Sequence, residues 1–343
     1  MNGGPAVLAI AEWWPILPVG AAAAILSALI IRLIRPHLLK HALAKPNARS
    51  SHRVPTPQGA GIAVVAATLI VAGSVLSGRA PAGLFGATLF IAALGFADDI
   101  KPVPVLPRLV LQAIAVGALV FASPAEFRVA SAVPFWVERG LLLLAGLWFV
   151  NLVNFMDGLD WMTVAEVVPI TAALAILGIQ GDLPLPTTIV TAALCGAMIG
   201  FAPFNRPVAS IFLGDVGSLP IGLIVGWSLL QLAGEHHLAA ALLLPLYYLA
   251  DATVTLLRRM MRHEPFWVAH RSHFYQRATD NGFTVTQVVS EVFVLNLVLA
   301  ALAAASIRAG SLALETALVA LGGAAVTLVM VRFSRPRSKT AAI

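Results

Sequence analysis

Long apolar runs separated by short polar connections dominate the sequence. Runs of membrane-spanning length lie at about 16–34, 60–78, 82–97, 106–122, 139–152, 164–180, 186–204, 218–233, 238–256, 289–307 and 312–331. The pattern predicts about eleven transmembrane helices, or ten, because the runs at 82–97 and 139–152 are short. We therefore expect an all-α, polytopic integral membrane protein in which residues 1–343 form a single multi-span domain.

Composition agrees with this prediction and excludes several classes of protein. The chain is 59% hydrophobic and 11% charged, whereas a soluble domain carries about 25% charged residues. Its only cysteine, Cys195, lies inside an apolar run, which excludes a disulfide framework and a cysteine-based metal site. The first fifteen residues contain Glu12 but no Lys or Arg, so we expect no cleavable signal peptide.

The Lys and Arg residues are distributed unequally across the predicted membrane. Of the 22, four fall on one side (Arg79, Arg128, Arg139 and Arg308), and the rest fall in the opposite loops and the C-terminal tail. By the positive-inside rule, the N-terminus lies outside and the C-terminus lies in the cytoplasm. A sequence pI near 10.1 can indicate nucleic-acid binding. Here the basic residues lie in loops between spans, so we expect contact with anionic lipid and no nucleic-acid partner.

The polar motifs all fall on the basic, cytoplasmic side. The loops that carry them cover about 35–59, 98–105, 153–163, 205–217 and 257–288. A secondary transporter would instead place its polar site near the midplane and would show related halves. The one-sided arrangement favours an enzyme supplied from one compartment, with a transporter as the non-enzyme alternative.

The most unusual stretch follows the apolar run at 139–152. Asn151, Asn154, Asp157 and Asp160 recur at every third position, and Gly158 offers a break where the carboxylates can turn from the helix axis. A membrane helix ordinarily ends in aromatic and basic residues. Four polar side chains at this spacing favour a functional site over a polar loop that caps the helix.

Two further acidic motifs lie at predicted helix ends. Asp98 and Asp99 are adjacent carboxylates, which repel each other and favour a cation or a proton between them. Asp215 has glycines on either side at positions 214 and 217, and a single hard carboxylate together with phosphate oxygens is a usual way to hold Mg²⁺. The alternatives are a solvated helix end for the pair and a capping turn for Asp215.

Two basic loops complete the set. The loop from Lys45 to Gly61 combines cations, hydroxyls and glycines, which suit a phosphate-rich ligand, although an ordinary positive loop has the same composition. The loop after the ninth run contains His270, Arg271 and His273, which indicate an anion cradle or a proton-transfer site.

In this order and on these loops, the five motifs resemble those of the polyprenyl-phosphate N-acetylhexosamine-1-phosphate transferase superfamily, glycosyltransferase family 4. The superfamily includes phospho-N-acetylmuramoyl-pentapeptide transferases and undecaprenyl-phosphate N-acetylglucosamine-1-phosphate transferases. The resemblance runs from about Lys45 to Arg277. Any one motif is modestly specific, whereas the ordered set is highly specific.

The resemblance implies a multi-pass enzyme of the bacterial inner membrane. In that family, undecaprenyl phosphate attacks the β-phosphate of a UDP-N-acetylhexosamine at the cytoplasmic face and UMP leaves. The product, an undecaprenyl-diphospho-sugar, would begin the synthesis of O-antigen lipopolysaccharide or another cell-envelope polysaccharide. The implied cofactor is Mg²⁺, with Mn²⁺ as a substitute. A homodimer is one assembly that the sequence leaves open.

The resemblance also implies roles for individual residues. The catalytic residues would be Asp98, Asp99, Asp157 and His273, with Asp98 engaging the lipid phosphate. The substrate-binding residues would be Arg53, Asn154, Asp160, Asn205, Phe212, His270 and Arg271. Asp215 would be the Mg²⁺ ligand.

Several alternatives stay open. The muramoyl-pentapeptide branch has three consecutive histidines where this chain has His270-Arg-Ser-His273, which favours the branch that makes lipid-linked sugars for surface polysaccharide. A membrane prenyltransferase would need two Asp-x-x-Asp motifs, and only Asp157 and Asp160 have that spacing. A lipid phosphate is largely dianionic at pH 7, so direct displacement is favoured over an aspartyl-phosphate intermediate.

Overall fold

The computed structural model describes residues 16–44, 55–265 and 270–337. Its first half contains α1 (Ile16–His41), β1 (Leu43–Ala44), β2 (Thr56–Pro57), α2 (Gly61–Leu76), α3 (Ala82–Ile100), α4 (Val105–Ala122), α5 (Phe135–Met156) and α6 (Met162–Ile179). Its second half contains α7 (Leu185–Phe201), a 3-10 turn (Ala202–Phe204), α8 (Asp215–Gly234), α9 (Leu238–Leu243), α10 (Leu246–Met261), α11 (Phe274–Asp280), α12 (Val285–Ile307) and α13 (Leu312–Phe333).

The all-α, polytopic prediction is confirmed. Helices occupy all eleven predicted runs, and within the described ranges nine of them are long and apolar enough to cross a membrane. The helix α2 is also apolar but shorter, at 16 residues. The predicted span over 238–256 is divided in two, because α9 ends at Leu243 and α10 begins at Leu246. Pro245 lies in this break, where its missing N–H cannot continue a helical hydrogen-bond ladder.

The core is formed by helices that lie in the middle of the bundle. The spans in α6, α7 and α8 have 61%, 72% and 78% of their residues buried, whereas α1 and α13 have 22% and 17%. A membrane helix surrounded by other helices can carry polar side chains that would be costly against lipid. The most enclosed helix, α8, begins at Asp215 and therefore carries one of the predicted site residues.

The loops segregate to two ends of the bundle. At one end, which we call the motif end, β1 pairs antiparallel with β2, and the backbone amides of residues 59–61 donate to the carbonyls of residues 212 and 213.

At the other end, Arg308 pairs with Asp182, and buried Arg139 donates to the carbonyls of Val120, Pro124 and Phe127. Arg128 pairs with Glu138 there. Three of the four basic residues at that end therefore have structural partners.

Glycines bring three helices into close contact at the motif end. A Cβ added to Gly61 of α2 would lie 2.2 Å from the Gly217 Cα of α8. A Cβ added to Gly95 of α3 would lie 2.2 Å from the carbonyl oxygen of Asp215. Neither distance is compatible with a side chain unless the backbone moves. Glycine at these positions allows α2 and α3 to pack directly on the first turn of α8.

Candidate active site

The first turn of α8 is held by a carboxylate from α3. The Asp99 carboxylate accepts hydrogen bonds from the backbone amides of Asp215 (2.9 Å) and Val216 (3.0 Å). The residue before the helix, Gly214, has φ 77°, a conformation that favours glycine. The first amides of a helix have no partner within the helix, so Asp99 supplies the cap. Asp99 thus fixes the position of Asp215, while its predicted catalytic role stays a prediction.

Asp98 lies beside this cap and has three partners. Its carboxylate accepts from the Val103 amide and forms a 2.9 Å ion pair with Arg108 of α4. The Asp98 and Asp215 carboxyl groups also lie within hydrogen-bonding reach of each other. Arg108 was not among the predicted site residues, although it lies in the run that follows the Asp98-Asp99 motif. Its guanidinium group partly offsets the negative charge here.

Asn154 connects α5 to the same point on α8. Its side-chain amide donates to the Asp215 carboxylate at 2.8 Å and to the Ser218 hydroxyl at 2.9 Å. One turn earlier, Asn151 donates to Gln112 at 2.7 Å and is buried. Asn151 therefore holds α5 against α4, and Asn154 reaches the carboxylates.

Asp157 ends α5 and faces the other acidic side chains. It accepts a hydrogen bond from the Thr163 hydroxyl. Burial, together with the charges of Asp99 and Asp160, raises the pKa of Asp157 to about 7, and the hydrogen bond from the Thr163 hydroxyl opposes this shift. Near neutral pH this carboxyl can therefore exist with or without its proton.

Asp160 and Asn205 shape the loop before α8. Asp160 accepts from the Ala209 amide at 2.9 Å. Asn205 is buried, accepts from the Trp161 amide at 2.8 Å, and donates to the Ile211 carbonyl at 3.1 Å. Both ends of the Asn205 side chain are thus engaged within the protein. Its predicted contact with substrate stays a prediction.

Phe212 joins the first basic loop to the site. Its amide donates to the Pro57 carbonyl at 2.8 Å, and its carbonyl accepts from Gly59 at 3.1 Å. The neighbouring Gln58 side chain donates to the backbone carbonyl of Asp99 at 3.2 Å. The end of the first loop therefore lies against the Asp98-Asp99 motif. Arg53, predicted to bind substrate from this loop, lies outside the described residues.

The histidine motif, residues 270–273, packs near the Asn/Asp stretch at the end of α5. His273 is buried, and its ring stacks with that of His270 (5.0 Å between centroids) and with that of Tyr275 (5.7 Å). The Tyr275 hydroxyl donates to the Phe155 carbonyl at 3.1 Å, within the Asn/Asp stretch. Gly158 makes room for Tyr275, since a Cβ there would lie 2.2 Å from the Tyr275 hydroxyl. The motif thereby contacts the stretch that carries Asp157.

The other two residues of the histidine motif differ in character. Burial, together with the charges of His273 and Arg259, lowers the pKa of His270 to about 4. His270 is therefore mostly neutral at pH 7, and its predicted contact with substrate stays a prediction. Arg271 donates to the Thr279 hydroxyl at 2.9 Å and pairs with Asp280 at 3.3 Å. Its predicted contact with substrate stays a prediction.

The donor set fits a hard cation that is shared with substrate oxygens. Within the described parts of the chain, no three His, Cys, Asp or Glu side chains form a complete metal cage. The close approach of the Asp98 and Asp215 carboxyl groups nevertheless calls for a positive charge or a proton between them. Mg²⁺ is usually held by one or two carboxylates together with waters and phosphates. Asp215, with Asp98 beside it, is a fitting ligand.

Sequence reasoning missed one carboxylate near the motif. Asp251 is fully buried in α10 and accepts from the His273 ring at 3.1 Å. Its signal in the sequence is a single carboxylate inside the apolar run at 238–256. Carboxylates are rare within membrane spans, and where they occur they usually have a function.

Comparisons with known proteins find one matching family model and several relatives. The model of glycosyl transferase family 4 matches residues 81–233. The chain is 25% identical over 296 residues to a probable undecaprenyl-phosphate N-acetylglucosaminyl 1-phosphate transferase of Bacillus subtilis, covering 80% of this chain and 81% of the relative. It is 30% identical over 261 residues to a phospho-N-acetylmuramoyl-pentapeptide-transferase of Ruegeria pomeroyi, covering 64% and 71%. A transferase of that second kind from Bartonella quintana is 28% identical over 167 residues, covering 44% and 46%.

Proposed function

Since the chain belongs to the polyprenyl-phosphate N-acetylhexosamine-1-phosphate transferase superfamily, glycosyl transferase family 4, we propose that it makes undecaprenyl-diphospho-N-acetylhexosamine. The donor is a UDP-N-acetylhexosamine and the acceptor is undecaprenyl phosphate. An acceptor oxygen forms a bond to the β-phosphorus, the bond between that phosphorus and the bridging oxygen breaks, and UMP leaves.

One observation carries this proposal. Side chains from three helices meet at the first turn of α8: Asp98 and Asp99 from α3, Asn154 from α5, and Asp215 itself. Phosphoryl transfer needs little covalent chemistry from a protein and depends on positioning and on charge neutralisation. Fixed carboxylate and amide oxygens at one point suit the cation that accompanies a diphosphate.

The residues of the site have different roles in binding and in orienting the substrates. Asp99 fixes Asp215, which with Asp98 beside it would hold Mg²⁺. Bound there, Mg²⁺ would offset the charge that gathers on the leaving UMP. Asn154 keeps the Asp215 carboxylate in one orientation, and Arg108 offers a cation to the lipid phosphate on the Asp98 side. A lipid phosphate is already largely dianionic at pH 7, which favours direct displacement without a general base.

An apolar cavity within the helix bundle supports a lipid acceptor. It lies between α4, α5, α8, α9 and the start of α10, and its lining includes Val150, Trp148, Trp227 and Leu249. Val150 lies about one turn of α5 from Asn154. Part of the polyprenyl tail would pack in this cavity while its phosphate lies at the motif end.

The cellular setting follows from the acceptor and from the distribution of charge. We place the motif end at the cytoplasmic face of the bacterial inner membrane, where UDP-sugars are available and where the Lys and Arg excess predicts it. The product would start the synthesis of O-antigen or another envelope polysaccharide.

A phospho-N-acetylmuramoyl-pentapeptide transferase is the second candidate, because a relative with that name is 30% identical to this chain. The sugar donors of the two candidate reactions differ mainly in the group attached to the sugar, which is a pentapeptide in the second. The spaced pair His270 and His273, in place of consecutive histidines, favours the smaller donor.

A donor panel tests the proposal and separates the two branches. Purified protein would be given Mg²⁺, undecaprenyl phosphate and radiolabelled UDP-N-acetylglucosamine, its 6-deoxy relatives or UDP-N-acetylmuramoyl-pentapeptide. We expect label in the lipid extract and UMP in the aqueous phase with a simple N-acetylhexosamine donor. Transfer from the pentapeptide donor alone would select the other branch, and transfer from none would refute the proposal.

A further inference from the structure

A fully buried carboxylate lies behind the histidine motif. Asp251 belongs to α10, about one and a half turns after the break at Pro245, and its exposed fraction is 0%. Burying a carboxylate costs free energy unless several donors surround it. The hydrogen-bond donors that contact the Asp251 carboxylate therefore show which groups it holds in place.

Five donors point at the two oxygens of this carboxylate. They are the Phe274 amide (3.0 Å), the Tyr275 amide (3.1 Å), the His273 Nδ1 (3.1 Å), the Tyr247 hydroxyl (3.2 Å) and the Thr255 hydroxyl (3.2 Å). Two of them come from α10 itself, and three come from the start of α11. Asp251 thus caps α11 and holds the His273 ring with one carboxylate.

The bond to His273 also fixes which ring nitrogen carries the proton. An acceptor at Nδ1 places a proton there, which leaves Nε2 as the nitrogen available to a ligand. Stacking contacts with His270 and Tyr275 restrict the tilt of the ring. Through Tyr275, the motif also contacts the Phe155 carbonyl at 3.1 Å, next to the acidic site.

We propose that Asp251 is a positioning residue, which holds His273 with its proton on Nδ1 and its Nε2 available to the sugar diphosphate. The catalytic consequence rests on the function proposed above. The structural part, that Asp251 holds the His273 ring, stands apart from it and has its own measurement.

A double-mutant cycle tests the catalytic part. Asp251→Asn keeps the size of the side chain but replaces one acceptor oxygen by a donor that faces other donors. We expect kcat to fall by about tenfold or more while KM for the UDP-sugar changes by less than about threefold. In a His273→Ala background, the same substitution should change kcat by less than about twofold. Additive losses in the two variants would refute an action through His273.

Thr255→Val is the matched control. It removes one of the five donors but leaves the His273 bond and the cap of α11 in place. We expect its kcat to stay within about twofold of the wild type. A loss as large as that of Asp251→Asn would mean that the whole buried network, and not the bond to His273, matters.

Chemical modification measures the structural part without turnover. Diethyl pyrocarbonate modifies accessible imidazoles, and cleavage by trypsin after Arg271 places His273 in its own peptide, residues 272–277. We expect its modification rate to rise by about fivefold or more in Asp251→Asn, because the ring is released. His263 serves as the internal reference. An unchanged rate would contradict the inference.

Two outcomes keep the inference separate from the proposed function. If the wild type transfers no sugar, the proposed function fails, and the modification rate still decides whether Asp251 holds His273. If Asp251→Asn does not fold, ¹⁵N NMR of histidine-labelled wild type decides the point. The His273 signal, assigned by its loss in His273→Ala, should report the Nδ1–H tautomer, and the Nε2–H tautomer would contradict the inference.

Discussion

The carboxylate of Asp99 accepts a 2.9 Å hydrogen bond from the backbone amide of Asp215. One member of the acidic pair therefore positions the predicted metal ligand, and the other, Asp98, stays beside that ligand with an arginine partner. Neighbouring aspartates of the same motif thus have different surroundings, and their substitutions should have different effects.

Asp99→Asn should lower stability and activity together. The substitution places an amide N–H against one of the two capped amides, and loss of a helix cap costs about 1 kcal/mol, up to about 2. We expect a lower melting temperature in detergent and a reduced kcat. Unchanged stability together with lost activity would show that Asp99 acts on substrate rather than on α8.

Asp98→Asn should separate catalysis from donor binding. It removes a charge on the side of the site that we propose for the lipid phosphate, but leaves the cap of α8 intact. We expect kcat to fall by about tenfold or more while KM for the UDP-sugar changes little. Steady-state kinetics with both substrates varied measures this. Equal losses in kcat and in UDP-sugar binding would assign Asp98 to the nucleotide side.

Gly95→Ala should displace the first turn of α8. The new Cβ would lie 2.2 Å from the Asp215 carbonyl oxygen, so a backbone must move, at a cost of about 1–3 kcal/mol. Thermal unfolding and turnover should both show the loss. Gly86→Ala on the same helix is the control, because its Cβ would meet nothing within 4 Å. Equal behaviour of the two variants would contradict the packing described for α3 and α8.

Asp215→Ala should abolish turnover without unfolding the protein. It removes the proposed metal ligand, and losses of about 10³-fold are usual when a group that stabilises developing charge is deleted. Chelation of the wild type should have the same effect, reversed by Mg²⁺ or Mn²⁺. Asp182→Ala, at the opposite end of the bundle, is the matched control and should stay active. Full Mg²⁺-dependent activity in Asp215→Ala would refute the metal assignment.

The pKa of Asp157 predicts a pH dependence. Because burial raises that pKa to about 7, the negatively charged form gains population as pH rises through about 7. If the charged form orients the donor complex, kcat/KM for the UDP-sugar should rise over this range. Asp157→Asn should be less active and should lose this rise. A profile for the wild type that is flat between pH 6 and 8, or one that falls, would contradict the assignment.

The sequence predicts the positions of the membrane helices well but predicts their breaks and side-chain contacts poorly, for physical reasons. Apolar runs locate the membrane helices because lipid requires long apolar segments. They do not locate the break at Pro245, which depends on packing against neighbouring helices. Periodic Asn and Asp residues identified the stretch at 151–160, but the spacing does not show that Asn151 binds Gln112 whereas Asn154 binds Asp215.

The sequence also does not predict contacts between residues that are far apart in the chain. The cap of α8 by Asp99 joins residues 116 positions apart, and no local pattern encodes such a contact. Asp251 is similar, because three of its five donors come from the start of α11, 22 to 24 residues away. Both carboxylates were visible in the sequence, and only the fold shows what each one holds.

The most direct measurement of the central claim follows the β-phosphorus of the donor. UDP-N-acetylhexosamine labelled with ³²P at the β-position would be incubated with undecaprenyl phosphate, Mg²⁺ and the protein. Transfer of a sugar phosphate predicts the label in the lipid product and unlabelled UMP in solution. Transfer of the sugar alone would leave the label in soluble UDP, and that result would contradict the account.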